Sequence, residues 1–217
     1  MSGGQNTEVK TGTRTGRSVT AICVQPIGVD LVAATAFDTL ARKMGHGDVL
    51  ESLRRETVWL LSFDCEPGRA AGLTAALAGN TGIFVNPNTH RHGVVAPADS
   101  IPHGPADGRE SLGVALWSHD DPQAGPVVAA VRERMGVTEL SALRRMTLWW
   151  PRMARRTAGD GSAAEAVMSM VATRSRREGL LANPHSEGWY IVERPHTPAM
   201  MLDVVEDLER KLDSARA

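Results

Sequence analysis

Cysteine is nearly missing from this chain. Cys23 and Cys65 are the only two, too few and too poorly patterned for a disulfide scaffold, so both are expected as reduced, small apolar residues on or near strands. An excess of one charge is missing too. The 24 basic and 25 acidic side chains leave a formal net charge of -1, which argues against a dedicated nucleic-acid binder, although acids crowded into the last fifteen residues leave the centre more basic. Aromatic residues make up only 4%, whereas an RNA-binding sheet needs exposed aromatics and a basic balance. No apolar run approaches the ~20 residues of a membrane helix, so no membrane association is expected. Residues 1–17 are polar, rich in Gly and Thr, and carry no apolar core of a secretory signal. They read as a flexible tail on a cytoplasmic protein. Missing as well are a Gly-x-Ser-x-Gly elbow, a Walker glycine loop and a histidine near either cysteine in sequence. No catalytic residue and no cofactor is therefore assigned.

What the chain does have is self-similarity. Leu53-Arg54-Arg55-Glu56-Thr57-Val58-Trp59 returns as Leu143-Arg144-Arg145-Met146-Thr147-Leu148-Trp149, with five of seven positions identical. Upstream, Met44-Gly45 is answered by Met135-Gly136; downstream, Gly82-Ile83-Phe84-Val85-Asn86-Pro87 is answered by Gly179-Leu180-Leu181-Ala182-Asn183-Pro184. Three landmarks in one order report two copies of a small folding unit. A unit of about 80 residues buries a limited share of its surface, so the copies are expected to complete their cores or sheets against each other. The resulting division is a tail over 1–17, repeat one over 18–95, a Pro- and Gly-rich linker over 96–109, repeat two over 110–195 and a C-terminal helix over 196–217.

Within repeat one, Val19 to Val24 predicts a strand, and Ala33, Ala36, Phe37, Leu40 and Met44 predict an amphipathic helix that Asp30 caps and Gly45 ends. Val49 to Phe63 is β-like, with room for a strand, a tight turn and a second strand. Pro67 restarts a helix. Ile83-Phe84-Val85 then begins a last strand that Asn86-Pro87 interrupts. Repeat two follows the same plan: a strand over Leu112 to Trp117, a helix over Pro126 to Met135, a β region over Leu143 to Met153, and a capping box at Ser162 to Glu165 opening a helix through Arg174. Thr197-Pro198 starts a helix with Met201, Val204, Val205, Leu208 and Leu212 on one side, expected to pack on the sheet of its own chain, with another subunit as the competing partner. Each repeat thus reads strand, helix, strand, strand, helix, strand, the ferredoxin-like β-α-β-β-α-β order, and two of them make an α+β protein.

These residues resemble the small subunit of phosphoribosylformylglycinamidine synthase, from purine biosynthesis. Repeat two carries the resemblance in Asp121-Pro122-Gln123-Ala124-Gly125, which is similar to the family's Asp-Pro-Gln-Gly with one residue inserted, then in Met135-Gly136, Leu143-Arg144-Arg145, Leu180-Leu181-Ala182-Asn183-Pro184 and the β-prone Trp189-Tyr190-Ile191-Val192. Repeat one departs from it, with Gln25-Pro26-Ile27-Gly28-Val29 in place of Asp-Pro-Gln-Gly. Neither repeat has the family's Gly-Lys after the arginines; Glu56-Thr57 and Met146-Thr147 stand there. The resemblance implies a non-catalytic subunit whose dimer bridges a glutaminase and an ATP-dependent amidine-forming synthetase. Two copies in one chain would be that dimer as an intramolecular pseudo-dimer, serving purine biosynthesis or a specialised relative of it, with further homo-oligomerisation left open. The partner contacts it suggests are Arg54, Arg55, Arg144 and Arg145, with Asn86, Pro87, Asn183 and Pro184 shaping the sheet ends.

Other constellations stay open. His90-Arg91-His92 has alternate histidines that share one side of an extended segment, but two imidazoles do not make a zinc site and repeat two has Glu187 where His90 aligns. The arginine clusters at 152, 155 and 156 and at 174, 176 and 177 read as a solvated face or as a site for a phosphate-bearing ligand or an acidic partner. Trp59, Trp149 and Trp150 read as core. The alternative function is a small ferredoxin-like enzyme or a binding protein for a phosphorylated metabolite, using those arginines and a metal on the histidines.

Overall fold

The computed structural model describes residues 16–80, 82–102, 112–154, 162–175, 179–193 and 195–216. The alternating apolar run of repeat one lies in strand β1 (Ser18–Pro26), followed by α1 (Leu31–Asp38), whose first turn Asp30 caps by accepting from the Val32 and Ala33 amides. A π-helical turn, Thr39–Lys43, extends α1 towards Gly45, whose φ of 83° is the left-handed geometry that glycine takes without strain. Strand β2 (Leu50–Phe63), helix α2 (Pro67–Asn80) and strand β3 (His90–Val95) complete the first half. The second half runs β4 (Gly113–Ser118), α3 (Ala124–Met135), β5 (Leu140–Met153), α4 (Ser162–Val171) and β6 (Glu187–Val192), and the chain then forms α5 (Pro198–Arg216). The protein is α+β. Its six strands form one antiparallel sheet in the order β3-β1-β2-β5-β4-β6, three from each half rather than the four expected, because one long strand stands where two were predicted; the arrangement is compatible with ferredoxin-like units.

Three expectations are corrected. Residues 50–63 hold no turn: they form a single 14-residue strand, because the segment pairs along nearly its whole length with β5 and has no reason to fold back. Ile83 to Val85 is not a strand. Phe84 and Val85 are buried under α2 instead, and the last strand begins only after the Asn86-Pro87 turn. Helix α4 stops at Val171, where Ala172 bridges Ala182, so Arg174 lies beyond it. The described part of the linker is mostly exposed, with the exception of Ile101, which is buried and whose amide donates to the His196 carbonyl at 2.9 Å. Tail residues 1–15, linker residues 103–109 and Arg155, Arg156, Arg176 and Arg177 lie outside the described residues.

Period-two alternation divides the side chains of the two long strands between the faces of the sheet. On one face, Val58, Leu60, Met146, Leu148 and Trp150 meet Met201, Leu202 and Val205 of α5, so the C-terminal helix packs on its own sheet. The other face carries two clusters. One joins Trp59, Leu61 and Phe63 to Ala70 and Leu77 of α2 and Val131 of α3; the second joins Leu53, Val114 and Trp149 to Ala33 of α1 and Val167 and Met170 of α4. Each cluster therefore takes one helix from either half of the chain. The wing formed by β4 and β6 uses a further device: Gly113 and Gly188 seat the indoles of Trp150 and Trp117, where a Cβ would come within 2.5 and 2.2 Å of the rings.

Because both clusters on the face covered by α1 to α4 draw on both halves, neither half has a complete core. Fragments 1–102 and 103–217 expressed separately are expected to show no cooperative thermal transition by far-UV circular dichroism, while the intact chain shows one. A cooperative transition in either fragment alone would contradict this.

Candidate functional site

The centre of the molecule is the pairing of β2 with β5. Its register is symmetric about Thr57 opposite Thr147: Arg55 faces Trp149 and, two positions beyond the centre on the other side, Trp59 faces Arg145. The recurring Leu-Arg-Arg-x-Thr-x-Trp sequence produces this directly. Its second arginine, threonine and tryptophan lie at even spacing and so share one face, and antiparallel pairing of two such segments about the threonine sets each arginine against the other segment's indole. The Arg55 guanidinium lies 5.8 Å from the Trp149 ring centre and that of Arg145 lies 5.6 Å from Trp59. Both tryptophans are buried, as expected, so each indole is a fixed platform for a cation.

The two arginines differ in their partners. Arg55 reaches back to the N-cap of α1, where its Nε donates to Asp30 Oδ2 at 3.0 Å. Arg145 reaches the equivalent N-cap of α3, where the residue is Gln123, and its contact there is a hydrogen bond to a neutral amide oxygen at 3.2 Å. A cleft of about 720 Å³ opens over this floor, lined by both arginines, both threonines, Asp30, Trp59 and His90. Its lip is apolar: Val29 and Leu31 are 78% and 74% exposed, with Val32 and Ile83 beside them.

Arg54 and Arg144 lie on the opposite face. Arg144 forms a two-pronged ion pair with Glu209 of α5 at 2.7 and 2.9 Å, and Glu209 also accepts from the Trp117 indole at 3.0 Å. Arg54 lines a separate notch of about 300 Å³ with Gln25, Asp30, Arg55 and Arg91. The four predicted arginines thus divide between two faces.

The Asn-Pro motifs make one turn twice. The Asn86 carbonyl accepts from the Thr89 and His90 amides, its side chain accepts from Asn88 at 3.0 Å, and its own amide donates to His90 Nδ1 at 3.3 Å. Asn183 repeats each bond, with Ser186, Glu187 and His185, and its amide donates to Glu187 Oε2 at 2.8 Å. Pro87 and Pro184 preset the turn. His90 and Glu187 are hence interchangeable hooks at the start of an edge strand. Among the described residues no group of three or more His, Cys, Asp or Glu could hold a metal ion, His90 and His92 included. Asp120 and Asp121 belong to the turn before α3, where Asp121 accepts from the Gln123 amide at 3.1 Å. Arg152 lies 3.8 Å from Glu51.

One polar group was not legible as special. Glu56 is buried on the α5 face, where Oε1 accepts from the Trp150 indole at 2.6 Å and Oε2 from Gln25 at 2.9 Å, while Gln25 in turn accepts from Arg91 at 3.0 Å. Its counterpart in the second half is Met146. The same carboxylate and, above all, burial push the Cys23 thiol up to about 12.

The chain matches no family model and no curated protein sequence. No helix among the described residues is long and apolar enough to cross a membrane.

Two outcomes follow from the buried carboxylate. Glu56→Met removes the carboxylate that accepts from the Trp150 indole and should cost about 1–3 kcal/mol; adding Trp150→Leu, the residue at the equivalent position 60, should recover part of that loss in a urea-unfolding double-mutant cycle. Additive effects would contradict the coupling. For Cys23, the folded thiol stays protonated at pH 8, so iodoacetamide should modify it only after unfolding. Above its ordinary value of 9.0 the unfolded chain releases this proton and the folded chain retains it. The Cys23 contribution to stability is therefore complete below about pH 9 and is lost as pH rises towards about 12. Comparing wild type with Cys23→Ala in alkaline urea titrations isolates it.

Proposed function

We propose that this protein is a non-catalytic bridging subunit of a phosphoribosylformylglycinamidine synthase-like complex: two ferredoxin-like repeats fused as a pseudo-dimer, linking a glutaminase to an ATP-dependent amidine-forming synthetase. The observation that carries the reading is the register about Thr57 and Thr147. An isolated ferredoxin-like unit would place its own second strand beside the strand that β2 represents, and here β5 of the other half takes that place. The paired Asn-Pro turns and the order of the sequence landmarks support the same view.

Covalent linkage gives such an adaptor two advantages. It replaces a bimolecular association with an intramolecular one at high effective concentration, and it frees the halves to diverge so that each can serve a different catalytic partner. Divergence is visible in Asp30 against Gln123, in Glu56 against Met146, and in the Trp-Gly pairs of the second half. Arg55, Arg145 and the Asn-Pro turns are the contacts this reading favours; Arg144 is tied to α5.

A second reading is favoured by the notch beside β2, where Arg54, Arg55 and Arg91 line an apolar-walled space. Such a site suits a phosphorylated metabolite.

Native mass spectrometry of the chain mixed with glutaminase and synthetase subunits from the same source separates the two. A ternary complex is expected. Tight retention of a phosphorylated metabolite by the chain alone, with no complex formed, would favour the second reading.

A further inference from the structure

The two sides of the cleft over the central strands differ, and the differences have one sense. Arg55 and Asp30 offset each other, whereas Arg145 carries its charge against a neutral glutamine and an indole face. The hydroxyls of Thr57 and Thr147, both on the floor, have no hydrogen-bond partner among the described residues. Val29, Leu31 and Val32, all exposed, flank the Asp30 cap and form an apolar patch on the lip of the same cleft that Arg145 lines. In the second half, with Gln123 in the place of Asp30, the matching positions hold Pro122, Ala124 and Gly125, which offer no comparable apolar side chains.

From this we infer that the cleft centred on Arg145 receives a segment of one catalytic subunit, a segment presenting a carboxylate next to an apolar side chain, and that it serves only one of the two subunits. The inference rests on the bridging reading and assigns that reading its first interface. A guanidinium stacked on an indole keeps its edge N-H groups directed outward in a plane, which suits the two oxygens of a carboxylate. Arg145 has no acidic partner among the described residues, which gives the complementarity, and the exposed apolar side chains on the lip of the same cleft mark a surface that another protein covers. A single phosphate fits less well. Four residues of extended strand, about 13 Å, separate the levels of the two arginines, so they cannot clasp one compact anion, and Arg55 already has its carboxylate. Nothing equivalent exists for a second identical contact, because the matching lip lacks the exposed valines and leucine.

The test uses the full chain as Arg145→Glu, Arg145→Lys and Leu31→Asp, with binding to the purified glutaminase and to the purified synthetase measured separately by biolayer interferometry. Arg145 and Leu31 are exposed, so the folded state should survive, and circular dichroism checks that it does. Arg145→Glu and Leu31→Asp should each weaken binding to one and the same subunit by roughly tenfold or more while leaving the other within about twofold, with Arg145→Lys intermediate. Wild-type affinity of both variants for both subunits would overturn the inference and leave the bridging reading intact. Loss of both subunits would overturn the single-partner assignment. Failure of the wild-type chain to bind either subunit would remove the bridging reading and this inference with it.

Discussion

Everything in this molecule is arranged around two long antiparallel strands that meet at a pair of threonines. Their ladder joins the three-stranded halves into one sheet, and the alternation it imposes sends hydrophobic side chains to both faces at once. Cross-strand Arg-Trp pairs on either side of the centre help to fix that register, since a slip of one residue would move the arginine and the indole of one strand to the opposite face, away from their partners. A slip of two would set each arginine against a different neighbour. The helices then follow: α1 with α4 and α2 with α3 occupy the two ends of one face, and α5 closes the other.

The centre is symmetric in backbone register but not in chemistry. Asp30 holds Arg55 in a charged pair, whereas Gln123 leaves Arg145 its charge. Glu56 collects an indole and an amide where the other half has methionine. Across the wing of the second half, Trp150 over Gly113 and Trp117 over Gly188 form an aromatic run; in the first half the corresponding places hold Leu60, Ala21, Gln25 and Arg91. These differences concentrate at the cleft, at the notch beside β2 and beneath α5. A single backbone plan therefore presents two different surfaces.

Much of the architecture was legible in the sequence, and for identifiable reasons. Helices announced themselves through caps and periodicity: Asp30, Gly45, Pro67 and Thr197-Pro198 all stand at or beside helix ends. The recurring heptapeptide located the strands that matter. Local patterning misled where the deciding force was long-range pairing. Residues 50–63 are long enough for two short strands and a turn, yet β5 lies along them; Ile83 to Val85 has strand composition, yet Phe84 and Val85 are buried beside α2 without their segment joining a ladder. At the site, the arginines were visible as a motif, but which of them share a face with the tryptophans depends on register, and which remains uncompensated depends on a cap residue 22 positions earlier in the chain. The apolar lip gave no signal at all, because Val29, Leu31 and Val32 look like ordinary interior residues until the helix places them outside.

The position of Glu56 shows what a single chain permits that an assembly of two identical chains does not. Glu56 and Met146 sit diagonally across the central ladder, on neighbouring strands and the same face, within roughly 8 Å of each other in the usual sheet geometry. In a homodimer any acid introduced beside the symmetry axis arrives with its mirror image, and two carboxylates would then share one desolvated space and repel. With the strands on one polypeptide, the acid is present once, its neighbour is a thioether, and a lone carboxylate can organise the interior without an opposing twin.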